Sequence, residues 1–400
     1  MRSFRTGVLA LVVTLALVPA VAAAGQSSFV RWQGSRGDFS SWQRSGVSLT
    51  AEGSLQLDPQ TAPVGTDPYA PGAYNGGNFY NGGSFRVGEA TSPVMAAGFG
   101  FREAIASWEA ETPAGTWVET QIRAQISGVW TKWYNLGVWA ADSTTVRRHS
   151  AGSQSDTNAY VGIDTLVVTN KKASPTAFQV KVRLFSADGI ALPRVRASAV
   201  TASTSPERSP VGSVGNPALW NQVLAVPECS QMVYPDGGQV WCSPTSTAMV
   251  LRYWAGDTGA CEPHVRAAVS GVYDWVFKGH GNWPFNTAYA ATKGLQSHVT
   301  RFTTLAQLEP WIAAGVPVIV SISWGSGELT GAPIASSAGH LMVVVGFDAS
   351  GNPVVNDPAA ASDAAVQRTY LRSEFEPLWL KASAGTAYLN YPAGWPVPAL

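Results

Sequence analysis

From Phe29 to about Thr201 apolar residues recur at a period of two, and that alternation limits this half of the chain to strands. Val118-Glu119-Thr120-Gln121-Ile122-Arg123-Ala124-Gln125-Ile126 alternates without a break, as does Phe178-Gln179-Val180-Lys181-Val182-Arg183-Leu184. One side of such a strand faces a core and the other faces water, the pattern of antiparallel sheets. Shorter strands are predicted over 54–57, 130–134 and 165–169, divided by Gly, Pro, Asn and Asp. No helical period of useful length competes, so residues 27–201 are expected to form an all-β sandwich of jelly-roll type. Tyr74-Asn-Gly-Gly77 is echoed by Tyr80-Asn-Gly-Gly83; two copies make a turn-rich loop, not a solenoid. Trp130, Trp133, Tyr134 and Trp139 crowd one part of the sandwich. Exposed, they would stack on sugar rings and make a carbohydrate- or cell-wall-binding module; buried, they are packing.

Residues 202–217 are rich in Ser, Pro and Gly and read as a linker, leaving 218–400 as a second domain that mixes helices with strands. Its central stretch runs from Gly238 to Trp254. Ser243 is a suitable N-cap and Pro244 suits the first helical position, where a missing N–H costs nothing. Ala248, Met249, Val250, Tyr253 and Trp254 then recur at helical spacing, and Gly256 offers a stop. Cys242 is thereby set at a helix N-terminus, where free N–H groups and the dipole favour a thiolate. Two later segments, Ser337-Ala338-Gly339-His340-Leu341-Met342-Val343-Val344-Val345-Gly346-Phe347-Asp348 and Gly351-Asn352-Pro353-Val354-Val355-Asn356-Asp357-Pro358, read as short strands joined by a turn. A hairpin puts His340 near Asp357, where a carboxylate fixes the imidazole tautomer and leaves the other nitrogen for a thiol proton. Residues 304–314 are predicted helical, with Pro310 kinking the helix or delaying its start, and 316–324 form a buried strand. The Gly- and aromatic-rich loop 279–286, with Asn282 and Trp283, and also Trp241, is expected to line a substrate cleft; a packed surface loop is the alternative. His264, His280 and His298 lack a following apolar strand and a matched acid, which ranks them behind His340.

Trp-Cys-Ser-Pro-Thr-Ser-Thr-Ala-Met-Val-Leu around Cys242, Gly-His-Leu-Met-Val-Val-Val-Gly-Phe-Asp around His340 and Val-Val-Asn-Asp-Pro-Ala around Asp357 resemble three blocks of the bacteriocin-processing (double-glycine leader) cysteine peptidases. They are most similar to the stand-alone secreted relatives of those enzymes, family-thirty-nine-like cysteine peptidases with a papain-like fold. The resemblance covers roughly 225–389. It implies an α+β papain-like domain, a peptide or protein substrate and no cofactor. It also implies Cys242 as nucleophile, His340 as base and Asp357 as orienter. A family glutamine that helps to bind the oxyanion corresponds to Gln231, through the lead-in Val226-Pro227-Glu228-Cys229-Ser230-Gln231, with Tyr234-Pro-Asp-Gly-Gly238 inserted before the cysteine. Gln239 is its competitor. The family's usual Cys-Gly is Cys242-Ser243 here. With Cys242 as nucleophile, Cys229 and Cys261 are left to form a disulfide; pairing of Cys229 with Cys242 is the alternative and would destroy the site. An acyl-thioester route admits hydrolysis or acyl transfer. The rival from another class is a non-catalytic surface protein that binds glycan or cell wall on a papain-like scaffold. This sequence carries no membrane domain or ATPase, so the double-glycine specificity is not carried over.

The chain opens with Arg2 and Arg5, an apolar run from Gly7 to Val21 and then Ala22-Ala23-Ala24-Gly25. That is the form of a secretory signal peptide over 1–24, and the run is short of the roughly 20 residues needed to span a bilayer. A secreted, extracellular protein with no membrane span after signal removal is expected. The 26 basic and 26 acidic residues cancel, which argues against nucleic acid or an anionic membrane as partner. Charged residues make up only 13% while Trp numbers 16, a composition suited to an extracellular β-rich protein. No His-Glu-x-x-His, paired Cys-x-x-Cys or phosphate-binding Gly loop is present, so no metal or nucleotide is expected. With a linker between them, the two domains are expected to fold separately.

Overall fold

The longest alternating segments become the longest strands of a computed structural model that describes residues 25–66, 79–80, 83–206, 210 and 212–400. The expected signal peptide lies outside those residues, as do 74–78 and 81–82 of the repeated loop and 207–209 and 211 of the linker. In Thr116–Ile126, Val118, Ile122 and Ala124 are buried while Gln121, Arg123 and Gln125 are half-exposed. This strand pairs with Ala177–Ser186 along its whole length, antiparallel, and Val180, Val182 and Leu184 repeat the buried face. They belong to a sheet that runs from Val129–Trp130 through Phe85–Thr91 to Gln43–Ser45. A second antiparallel sheet runs from Ala159–Gly162 through Thr165–Val168, Glu103–Glu111 and Arg194–Ser203 to Leu55–Leu57 and Val47–Leu49. The strand expected over 130–134 does not form as one piece. The chain breaks between Val129–Trp130 and Tyr134–Trp139, because Thr131 turns its hydroxyl onto the Lys132 carbonyl and accepts the Ala124 N–H.

The C-terminal half is mixed. A third antiparallel sheet orders Leu295–Arg301, Thr386–Pro392, Val318–Trp324, Ser337–Phe347, Pro353–Asn356 and Gln367–Thr369, with Gln222–Val223 beside Ser337–Phe347. Its helices are α1 (Cys242–Ala255), α2 (Glu262–Val272), α3 (Trp283–Thr292), α4 (Glu309–Ala313) and α5 (Arg372–Ser383). Pro310 sits in the first turn of α4, so that helix starts late, after a single turn of 3-10 helix capped by Thr304 and Gln307. None of these helices is long and apolar enough to cross a membrane.

The two halves share one core, which differs from the expectation of separable domains. Buried apolar residues of both N-terminal sheets and of the C-terminal half form a single continuous cluster. Helix α3 lies on the strand Glu103–Glu111, where Phe285 packs its ring against Trp108 and Trp139 at 6.2 and 5.5 Å. Gly137 permits this approach: its φ is +154° and a Cβ there would stand 3.2 Å from the Phe285 ring. The strand Leu295–Arg301 pairs on one side only, with Thr386–Pro392. Its other edge is closed by side chains of the N-terminal half. Glu109 accepts the Ser297 N–H, Ser107 accepts the Val299 N–H and Thr201 donates to the Val299 carbonyl. An open strand edge left in water would be a site for unwanted pairing. Buried Arg301 adds an ion pair to Glu103 at 2.7 Å. The strand Arg194–Ser203 also runs two residues past the expected domain limit at 201.

Candidate active site

Helix α1 begins at Cys242 itself, two residues earlier than Ser243 as cap would allow. Trp241 stands at the cap position with no side-chain bond, and the Ser243 hydroxyl is paired instead with the Tyr388 hydroxyl at 3.0 Å. Both are buried, so Ser243 is held away from the space in front of Cys242. Pro244 remains in the first turn, where its missing N–H costs nothing, and Gly256 ends the helix at φ 63°. One turn in, Ser246 donates to the Leu341 carbonyl at 3.1 Å, which fixes α1 against the strand that carries His340.

On that strand His340 is buried, with Nε2 2.7 Å from Asp357 Oδ1. The register pairs Val343 with Asn356, so Asp357 follows the last ladder pair and its side chain turns back to His340. The other carboxylate oxygen accepts the Tyr370 hydroxyl at 2.6 Å, and Oδ1 also accepts the Ala359 N–H. With Nε2 committed to Asp357, Nδ1 is the ring nitrogen of His340 left for the neighbouring Cys242 thiol. Burial opposes ionisation of Cys242, but the His340 hydrogen bond and charge outweigh it, helped by backbone hydrogen bonds at Leu341 and Ser243, and the thiol pKa falls. Burial likewise opposes charge on His340, and the Asp357 carboxylate overrides it and raises the imidazole pKa. Asp357 itself is lowered, because His340, Tyr370 and Ala359 together outweigh its own burial. Both shifts act in the direction that favours a thiolate beside an imidazolium.

The chain opens on a cleft of about 860 Å³. Gln231 and Gln239 both line it, Gln231 buried and Gln239 exposed. The inserted segment folds into turns, Tyr234 N–H to the Gln231 carbonyl and Gly238 N–H to the Tyr234 carbonyl, so the longer spacing brings Gln231 back to the site. Gln231 Nε2 donates to the Gly238 carbonyl at 2.8 Å. Only a glycine fits at 238, since a Cβ there would lie 1.9 Å from the Gln231 carbonyl oxygen. Cys229 and Cys261 are joined by a disulfide and Cys242 is free, so the alternative pairing is excluded in this structure. Arg252, buried on α1, points one guanidinium nitrogen at both sulfurs.

A model of the Peptidase C39 N-terminal domain matches residues 28–203, and a model of the Peptidase_C39 like family matches residues 223–387. The chain belongs to the C39-like peptidases. No curated protein matches it. Among solved structures it is similar to a candidate C39-like peptidase from Bacillus anthracis, at 20% identity and a TM-score of 0.29 over 42% of this chain and 96% of that one. It is also similar to a family two carbohydrate esterase from Cellvibrio japonicus, at 11% identity and a TM-score of 0.20, over 57% of this chain and 50% of that one. A third likeness is to the CBM22-1-GH10 modules of Clostridium thermocellum xylanase 10B, complexed with xylohexaose. There the identity is 10% and the TM-score 0.18, over 48% of this chain and 30% of that one. Likenesses at TM-scores this low define neither the fold nor the function of this chain.

Several expectations are corrected in this C39-like chain. Of the three residues expected in the cleft, only Trp283 lines it. Trp241 is buried against Tyr234, and Asn282 is buried as the cap of α3 and donates to Asp274. His264 does have an acid, Asp257 at 2.6 Å, but both lie away from the cleft lining. His298 does sit on a strand, Leu295–Arg301, and is buried beside Arg31 with its pKa pushed down by burial. His280 lines the same cleft as Cys242, and burial lowers its pKa to about 4, leaving it neutral. Of the four crowded aromatics, Tyr134 and Trp139 are core. Trp130 and Trp133 flank the Arg123 guanidinium at 4.5 and 4.7 Å, and Lys181 approaches Trp133 at 4.9 Å. Sequence reasoning misses Tyr370; it follows a short strand, and no local pattern marks it as the partner of Asp357.

Proposed function

We propose that this C39-like chain is a secreted cysteine peptidase that cleaves peptide or amide bonds through an acyl-thioester. Cys242 Sγ attacks the substrate carbonyl carbon while its proton rests on His340 Nδ1. His340 then protonates the departing amine as the C–N bond breaks. Water, deprotonated by His340, attacks the thioester and frees the acid and the thiol. Asp357 keeps His340 oriented and balances the imidazolium. Gln231, with one N–H left over from Gly238, and the Cys242 N–H stabilise the oxyanion. The observation that carries this reading is the hydrogen-bonded series Cys242, His340, Asp357 opening on the cleft.

In this reading residues 218–400 have the papain-like arrangement, with the cysteine helix laid on the histidine strand, and 27–201 form a β-sandwich whose two sheets face each other. Secretion rests on the basic, apolar and small-residue pattern of 1–24 and agrees with the disulfide. A peptide or protein is the substrate. Carbohydrate binding by the sandwich is not favoured, because cations already stack on Trp130 and Trp133. Mass-spectrometric profiling of a mixed peptide library with the mature full chain tests the proposal. Cleavage that disappears in Cys242→Ala and His340→Ala is expected; a library left intact by the folded wild-type protein would refute it.

A further inference from the structure

Among the described residues of the N-terminal half, Ile163 is the one that lines the cleft containing Cys242. It sits in the turn between the strands Ala159–Gly162 and Thr165–Val168, at a φ of 62°. A β-branched side chain in the left-handed region is strained, and glycine would occupy the same backbone freely. The side chain is also 38% exposed, so no burial in the core offsets the strain. The turn is nonetheless clamped. The next residue, Asp164, is buried and accepts the Trp283 N–H at 2.7 Å, at the start of α3. Ile163 thus stands beside Trp283, and Phe277, 43% exposed, lines the same cleft. Among the described lining residues Lys278 and His340 are the only ones that carry charge, and none is acidic. An exposed, strained apolar residue held over a cleft without acidic residues has no evident role in folding.

We propose that the 162–164 turn of the N-terminal half forms one wall of the substrate cleft. Ile163, with Trp283 and Phe277, makes a subsite there for a bulky apolar side chain of the bound peptide. The proposal rests on the reading of the cleft as a peptide site, and the N-terminal half thereby sets specificity as well as covering a strand edge.

The test uses full-length Cys242→Ala protein, which binds without turning over, and a mixed pool of octapeptides varied at each position among Leu, Phe, Ala and Lys. Capture is expected to enrich Leu and Phe over Ala at one position by roughly tenfold or more, the scale of a hydrophobic pocket that loses a few methylenes. Adding Ile163→Gly should cut that enrichment below about threefold, in line with the same scale. Glycine suits the backbone, so the melting temperature should hold or rise, and a loss cannot be put down to misfolding. Ile163→Asp should replace the apolar preference at that position with one for Lys. Absence of any enrichment, or enrichment untouched by Ile163→Gly, overturns the subsite. Digestion of the same pool by the Cys242 enzyme is read separately: peptides captured through Ile163 but never cut would refute the peptidase and leave the subsite standing.

Discussion

A buried thiol ordinarily loses acidity, because a surrounding of low polarity penalises the thiolate. At Cys242 that penalty is the largest single influence, yet the thiol pKa is lowered, since His340 donates to it and carries charge held in place by Asp357. The sign sets the pH window. The thiolate–imidazolium pair exists above the depressed thiol pKa and below the raised imidazole pKa, so both limits move outward from neutrality. Alkylation of Cys242 by iodoacetamide should therefore stay fast at pH 6, where an ordinary thiol of pKa about 8.5 is almost wholly protonated. His340→Ala should move the alkylation profile up toward that of a free thiol. Tyr370→Phe removes the 2.6 Å hydrogen bond to Asp357 and leaves the His340 contact, so turnover should fall less than in Asp357→Ala. For the oxyanion, Gln231→Ala should lower kcat by roughly 10²–10³ with alkylation almost unchanged, because such donors act on the transition state. The same split in Gln239→Ala, with Gln231→Ala neutral, would transfer the role.

At the scale of elements, the lead-in before α1 is held by several ties at once. Cys229 is bonded to Cys261, Ser230 N–H goes to Asp363, and Gln231 N–H goes to the Pro358 carbonyl just past Asp357. Gly238 then closes over the Gln231 backbone. Gly238→Ala, which puts a Cβ into that carbonyl, should displace Gln231 and reproduce the kcat loss of Gln231→Ala without altering the Cys242 alkylation profile. Replacing Cys229 and Cys261 together by Ala should cost about 2–4 kcal/mol in urea unfolding, the usual value for a loop of this size. The cysteine helix, the histidine strand and the aspartate turn are legible because each has a local signature: helical spacing after Cys242, an unbroken apolar run after His340, and turn residues before Pro353. The cap is not, because Ser243 has a tertiary partner, Tyr388, that lies 145 residues away and outcompetes the local backbone. Tyr370 and the burial of Asn282 are illegible for the same reason, since both are decided by contacts distant in the chain.

At the scale of the whole molecule, period two correctly marks the N-terminal half as strands, but alternation says nothing about which half a strand's face will meet. Trp108 and Trp139 look the same in sequence whether they close a sandwich or receive Phe285. The Ser- and Pro-rich segment between the halves suggests independence, while the structure joins them through α3, a shared strand edge and two buried carboxylates, Asp164 and Asp274. Two halves that share a continuous core should unfold as one unit, so tryptophan fluorescence and loss of rapid Cys242 alkylation should share a single urea transition. Asp164 makes the joint sensitive to pH. Burial between the halves raises its pKa to about 6, against an ordinary value of 3.8, even though the Trp283 N–H and the Thr165 hydroxyl favour its ionised form. Because the folded state holds this proton more tightly than the unfolded chain, stability at this site rises as pH falls from about 7 through 6 and levels off only below about 3, where the unfolded carboxyl is protonated too. That separation corresponds to roughly 3 kcal/mol. Asp164→Asn keeps an oxygen to accept the Trp283 N–H and cannot titrate. The unfolding free energy of the wild type minus that of Asp164→Asn should therefore increase by roughly 2.5 kcal/mol between pH 7 and pH 4, measured by urea unfolding at each pH. A difference that stays flat across that range would mean that Asp164 ionises as it does in water, and that the joint between the halves is open to solvent.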